Sequence, residues 1–152
     1  MNIAIVGATG NVGRKILEVL ENKSFPVDSL YLVASSKSAG SKLKFKGKEI
    51  EVENLETFDF SKSEITFFSA GGKISEKYAP LAAKHSLVID NSSYFRMDPD
   101  VPLIVPEVNS HDLKNYKKKN IIANANCSVI PLVVALKPLH DLYSIKRIVA
   151  ST

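Results

Sequence analysis

The chain carries only one cysteine, Cys127, in 152 residues. That excludes an internal disulfide and any metal site built on several thiolates. Its three histidines, His85, His111 and His140, stand far apart and follow no ligand spacing, so no protein-bound metal is expected. No apolar run approaches the roughly 20 residues that span a bilayer. Met1–Val6 is short and lacks the basic lead of a secretion signal. A cytoplasmic location without a membrane partner is therefore expected. Charge of one sign is also scarce: 20 basic residues face 16 acidic ones, leaving a net +4. The single run of three, Lys117–Lys119, reads as a solvated loop. Aromatic residues are not interleaved with the basic ones as single-strand binders require, so nucleic acid is not an expected partner. The modest positive balance does suit an anionic ligand such as a nucleotide or a phosphate.

What is present is an ordinary globular composition, 45% hydrophobic and 24% charged, of a length that fits one domain. Strand and helix patterns alternate. Asn2–Val6 is a short apolar run followed at once by glycines. Over Asn11–Asn22, Val12, Ile16, Val19 and Leu20 recur at helical spacing and are expected to face inward. Leu30–Ala34 reads as a strand, and Lys42–Val52 alternates around Gly47–Lys48 like a hairpin at one edge. Ile65–Ala70 and Leu87–Asp90 read as strands around a helix over Lys73–Lys84, with Ile74, Tyr78 and Leu81 inward and a disturbance at Pro80. Leu103–Val105 and Ile121–Ala123 read as short strands flanking a helix near Asp112–Lys117. Ser128–His140 reads as a helix stopped by Pro138, and Ile145–Ala150 as a last strand. The pattern predicts an α/β fold: a doubly wound, mostly parallel Rossmann-like sheet with helices on both faces. Loops that face a ligand sit at the carboxyl ends of strands in such a sheet. The chain stops at Ser151–Thr152, where such a loop is due, and so reads as a fragment.

Gly7, Gly10 and Gly13 form G-x-x-G-x-x-G directly after the first strand and at the start of a helix. Glycines there permit a tight turn and close approach to a pyrophosphate, while the helix N-terminus offers free N–H groups and a positive dipole end. An NAD-preferring site usually carries an acidic residue about 20 residues further on, to bind the ribose 2′-hydroxyl. Here the second strand runs into Ser35–Ser36–Lys37–Ser38–Ala39–Gly40 with no acid, and Asp28 stands at its other end. Hydroxyls and a lysine suit a 2′-phosphate, which favours NADP.

A lone cysteine is most often a small buried hydrophobe. Cys127, however, falls between a strand and a helix, in Asn124–Ser128. A helix N-terminus favours the thiolate, which makes Cys127 a candidate nucleophile. Sulfur beside a hydride acceptor points to aldehyde oxidation through a thiohemiacetal and a thioester. Arg96, in the loop after Asp90, could clamp an anion with its planar fork.

Five stretches together resemble bacterial aspartate-semialdehyde dehydrogenases: Gly7–Gly13, Ala34–Gly40, Phe68–Gly72, Asp90–Asn109 and Asn126–Leu139. They run nearly end to end and in family order. The resemblance implies that Thr9, Gly10, Asn11 and Val12 hold the NADP diphosphate. It implies that Ser35, Lys37, Ser38 and Ala39 hold the adenosine 2′-phosphate, and that Ser69, Ala70 and Gly71 line the cofactor. Family members often have arginine where Lys37 stands, and lysine keeps the charge without the bidentate fork. Arg96 and Asn126 would bind the phosphate of the acyl phosphate or inorganic phosphate, and Cys127 would be the nucleophile. The family commonly reads P-N-C-S-T where this chain has Ala125–Val129. On this resemblance residues 1–152 are the NADP-binding domain with the nucleophile loop. The acid–base histidine, the substrate-carboxylate arginine and most of a homodimer interface would lie in a C-terminal domain not included. The implied reaction is NADPH-dependent reductive dephosphorylation of L-aspartyl 4-phosphate to aspartate semialdehyde, feeding lysine, methionine and threonine synthesis, with the fragment alone inactive. The alternatives are an N-acetyl-glutamyl-phosphate reductase-like enzyme and a non-catalytic NADP-binding module. The Ala34–Gly40 and Asp90–Asn109 stretches argue against the reductase.

Overall fold

The computed structural model describes residues 1–151. In order, it contains β1 (Asn2–Val6), α1 (Asn11–Asn22), β2 (Ser29–Ala34), β3 (Lys42–Phe45), β4 (Lys48–Asn54), β5 (Ile65–Phe68), α2 (Gly72–Ala82), β6 (Leu87–Asp90), β7 (Leu103–Ile104), α3 (Pro106–Asn109), β8 (Ile121–Asn124) and α4 (Val129–Tyr143). Short 3-10 segments lie at Phe60–Lys62, Tyr94–Met97 and Ser110–Lys118.

The strands form one sheet in the order β3-β4-β2-β1-β5-β6-β8-β7. Every neighbouring pair is parallel except the β3–β4 hairpin. β1 lies inside the sheet, and Ile3, Ala4, Ile5 and Val6 are all fully buried. A continuous apolar run is what a parallel strand covered on both faces requires. One face packs Ala4, Val6, Phe68, Val88 and Ala123 against Ala79 and Ala82 of α2 and against Phe95. The other packs Ile3, Ile5, Leu32 and Val52 against Leu17 and Leu20 of α1. The doubly wound reading therefore holds, with helices on both faces. The hairpin also holds: β3 and β4 turn at Lys46–Gly47, and β4 then joins β2 in parallel, Leu32 opposite Val52.

Five local expectations are corrected. In α1 the inward residues are Gly13, Leu17 and Leu20, with Ile16 beside them, while Val12 and Val19 are 52% and 44% exposed. The helix is rotated because Gly13, which has no side chain, is the residue that touches the first loop. In α2, Leu81 is exposed and Ser75, Ala79 and Ala82 face inward, since only small side chains fit its approach to β6. Pro138 does not end α4, which runs on to Tyr143 and closes at Ser144 in a left-handed cap. A proline removes one hydrogen bond, and here the Lys137–Asp141 pair ties the turn beyond it. Residues 145–150 form no strand. Ile145–Ile148 lie instead along α4 near Val133, Leu136 and His140, away from any strand edge. The segment near Asp112–Lys117 is a 3-10 helix rather than an α-helix.

Candidate functional site

The turn after β1 is shaped by two glycines. Gly7 has φ +85°, and a Cβ on it would stand 2.8 Å from the carbonyl carbon and oxygen of Ser69. A Cβ on Gly13 would stand 2.3 Å from the Gly7 oxygen. The chain can therefore pass between the ends of β1 and β5 only where side chains are absent. Ser69 completes the junction, donating from its N–H (2.9 Å) and its Oγ (3.1 Å) to the Val6 carbonyl. Gly10 is the N-cap of α1, and no side chain caps that end. Its N–H groups and dipole are therefore left for a ligand. Arg14 folds back so that its Nε donates to the Thr9 carbonyl at 3.0 Å.

These loops enclose a cleft of about 340 Å³ lined by Gly7, Thr9, Gly10, Ser35, Ser69 and Ala70, together with Val6, Ala34, Leu55 and Ile74. Six residues singled out from the sequence thus share one cavity. Leu55 and Ile74 had not been singled out for it. They give the cleft apolar walls suited to a flat ring. Asn11, Val12, Gly13, Lys37, Ser38, Ala39 and Gly71 do not line this cavity. The first three begin α1, and Gly71 is the N-cap of α2. Ser35–Gly40 forms a tight turn after β2, in which the N–H groups of Ser38 (2.9 Å) and Ala39 (3.1 Å) donate to the Ser35 carbonyl. Lys37 is exposed on it and joins no ion pair among the described residues. Asp28 lies at the opposite end of β2, bound to the N-terminal amine.

Further along the same sheet edge, β6 ends in Asp90, whose carboxylate is fully buried. It accepts from Ser75 Oγ (2.7 Å), Ser92 N–H (3.0 Å) and Ser92 Oγ (2.6 Å). Those bonds satisfy the buried charge and fix the start of the loop carrying Arg96. The half-buried Arg96 guanidinium donates from Nε to the Asn124 carbonyl (3.0 Å) and from Nη2 to the Asn91 carbonyl (3.1 Å). No carboxylate pairs with it among the described residues, so its charge remains available to an anion.

β8 leads directly into Asn126 and Cys127, both exposed. The Asn126 carbonyl accepts the N–H groups of Val129 and Ile130 (3.0 Å each), and its Oδ1 accepts from Ser128 N–H (2.9 Å). With Oδ1 engaged, the amide Nδ2 is the atom free to meet a ligand. Cys127 follows, immediately before the N-terminal end of α4. The glycine turn and Ser35–Gly40 follow β1 and β2, Ser69–Gly71 follow β5, Arg96 follows β6, and Asn126 with Cys127 follow β8. All of them stand at carboxyl ends of strands in one parallel sheet. No cluster of His, Cys, Asp and Glu able to hold a metal occurs among the described residues. No helix is long and apolar enough to cross a membrane among the described residues.

A family model described as the NAD binding domain of semialdehyde dehydrogenase matches residues 2–116. The aspartate-semialdehyde dehydrogenase of Aquifex aeolicus is 59% identical over 152 residues, covering 99% of this chain and 45% of that protein. The aspartate semialdehyde dehydrogenase II of Vibrio cholerae, solved in complex with ASA, superposes with a TM-score of 0.90 at 53% identity, covering 92% of this chain and 46% of that one. The Candida albicans enzyme with NADP superposes with a TM-score of 0.71 at 26% identity, over 95% of this chain and 48% of that one. The chain spans just under half the length of the curated relatives it matches.

Proposed function

The chain belongs to the semialdehyde dehydrogenase family, and from that premise we propose that it is the NADP-binding part, nucleophile loop included, of an aspartate-semialdehyde dehydrogenase. The observation that carries the reading is the bond between Arg96, an arginine without a carboxylate partner among the described residues, and the carbonyl of Asn124, three residues before Cys127. An anion-holding fork and a thiol thereby share one corner of the fold.

The glycine turn fits a dinucleotide: a Cβ at Gly7 or Gly13 would fill the cradle, and the adjoining helix end has no side-chain cap. Thr9, Gly10, Asn11 and Val12 would hold the diphosphate, with Leu55 and Ile74 flanking the base. Ser35, Lys37, Ser38 and Ala39 would hold the 2′-phosphate. Ser69, Ala70 and Gly71 would line the path toward Cys127.

In the proposed reaction, Cys127 Sγ attacks the acyl carbon of L-aspartyl 4-phosphate. The carbon–oxygen bond to phosphate breaks and an enzyme thioester forms. Arg96 and the Asn126 amide hold the departing phosphate, neutralising charge where it builds up. NADPH, when bound, would supply a hydride to the thioester carbon, so that the carbon–sulfur bond breaks, the semialdehyde leaves and Cys127 returns to its thiolate. The acid–base histidine, the arginine for the substrate carboxylate and the homodimer contacts are proposed to lie outside residues 1–152. This chain alone is then a binding unit without turnover.

Titration calorimetry with NADPH and NADH tests the cofactor part. NADPH is expected to bind about tenfold tighter or more, as one charge-assisted contact contributes. Equal affinities would overturn the assignment of Ser35–Ala39 to a 2′-phosphate. Binding of neither would overturn the cleft as a self-sufficient nucleotide site.

A further inference from the structure

We infer that Asn91 and Asn124 are a positioning pair that holds the Arg96 loop and the Cys127 loop in register. The inference rests on the reading of Arg96 as a phosphate ligand. β6 and β8 pair in parallel, and Asp90 opposite Ala123 is the last matched pair of the register. One residue further on each strand stand Asn91 and Asn124, where the ladder has ended and main-chain bonding no longer ties the two strands. There the side chains meet: Asn124 Nδ2 donates to Asn91 Oδ1 at 2.5 Å, in a half-buried setting.

The main-chain carbonyls of these same two residues are the two acceptors of Arg96, at 3.1 Å from Asn91 and 3.0 Å from Asn124. Arg96 and the amide pair therefore bridge one gap in two ways, through carbonyls and through side chains. If the strand ends splay, the carbonyls separate and the planar fork can no longer bond both. The guanidinium then loses its fixed position relative to Cys127, three residues beyond Asn124. The outer sides of both strand ends are tied elsewhere, Asn91 N–H to the Phe68 carbonyl (2.9 Å) and Ala123 N–H to the Pro102 carbonyl (3.0 Å). Those bonds anchor each loop to its outer neighbour and not to the other. The asparagine pair is the side-chain link between them.

The test uses the sole cysteine as reporter. Cys127 is alkylated with iodoacetamide across a series of inorganic phosphate concentrations, in the unaltered chain and in Asn91→Ala, Asn124→Ala and the double variant. Phosphate is expected to slow alkylation in the unaltered chain. Each single variant is expected to raise the half-protecting phosphate concentration about tenfold, the scale of one hydrogen bond. The double variant should raise it no further, because both changes break one link. Unchanged protection in the single variants, or losses that multiply in the double one, would overturn the pairing. Absence of phosphate protection in the unaltered chain would instead overturn the reading of Arg96 itself. Asn124→Leu covers the case in which the double variant does not fold. It keeps the approximate size of Asn124, removes the donor and adds no charge near the phosphate, and protection equal to that of the unaltered chain would likewise overturn the inference. The melting midpoint of each variant is read alongside, since general loosening would lower it in proportion to the lost protection, whereas a positioning role predicts no such proportion.

Discussion

At the scale of single residues, the first turn is governed by what cannot be added to it. Gly13→Ala would place a Cβ 2.3 Å from the Gly7 oxygen, and overpacking of that kind costs roughly 1–3 kcal/mol or more. Gly40→Ala is the informative contrast. Gly40 has φ +82° but nothing within 4 Å of the added atom, so only backbone strain of about 1–2 kcal/mol applies. Urea unfolding should rank Gly13→Ala as the more damaging, and NADPH titration should show binding lost in it and retained in Gly40→Ala. Lys37→Ala should bring NADPH affinity down toward that of NADH, while Lys37→Arg should widen the difference through its fork. The glycine turn was legible because its three residues lie within seven positions of one another. Leu55 and Ile74 were not, because the cleft takes one from the loop after β4 and the other from α2. Asn91 and Asn124 are 33 positions apart, and only the sheet register makes them neighbours.

At the scale of elements, strands with apolar cores were legible to within about two residues at each end, the usual fraying of such assignments. Three of the misreadings share one cause: helix faces and strand partners are decided by contacts that no local spacing records. Val12 and Val19 fit the helical period, yet Gly13 turned the helix away from them. Residues 145–150 have strand-like composition but no partner strand. The 3-10 segment Ser110–Lys118 is tied to the Asp98–Asp100 turn by Lys118–Asp100 (3.0 Å) and, just beyond it, by Lys119–Asp98 (2.6 Å). The Lys119 ammonium, with the Asp100 N–H, holds the Asp98 carboxyl below its usual range, and the same contact raises Lys119 above its own. A lowered carboxyl stabilises the fold above its ordinary value and loses that contribution as pH falls through the lowered one. A raised ammonium stabilises below its ordinary value and loses that contribution as pH rises through the raised one. It is one contact seen from both partners. Hydrogen exchange of Ser110–Lys118, corrected for intrinsic rates, should therefore accelerate below about pH 4 before the sheet opens. Asp98→Asn should reduce that pH dependence. In α4, which buries none of its residues among those described, Pro138→Ala should slow exchange across the helix and leave the global unfolding free energy within about 0.5 kcal/mol of the unaltered chain's.

At the scale of the whole molecule, the fold is finished on some sides and open on others. The face bearing α1 is covered over β1, β2 and β4, but Phe67, Ile89 and Ile122 on its other half are only partly buried. Leu142, Tyr143 and Val149 are largely exposed. Exposed apolar side chains of this kind offer sites for amphiphilic dyes. The folded chain should enhance anilinonaphthalene sulfonate fluorescence at pH 7, and Leu142→Lys with Val149→Lys should reduce that signal without shifting the melting midpoint measurably.

The two margins of the sheet tell a different story. On one side the outermost strand is β3, four residues long, with the exposed Lys42 and Lys44 alternating along it. On the other it is β7, two residues long, with Pro102 before it and Pro106 soon after. Short length, lysines and flanking prolines are the means by which native sheets refuse an added strand. Crowding or partial heating should therefore drive this protein toward amorphous clumping through its greasy patches. Ordered fibril growth from its rims is disfavoured, and seeding trials with thioflavin should remain dark while light scattering climbs.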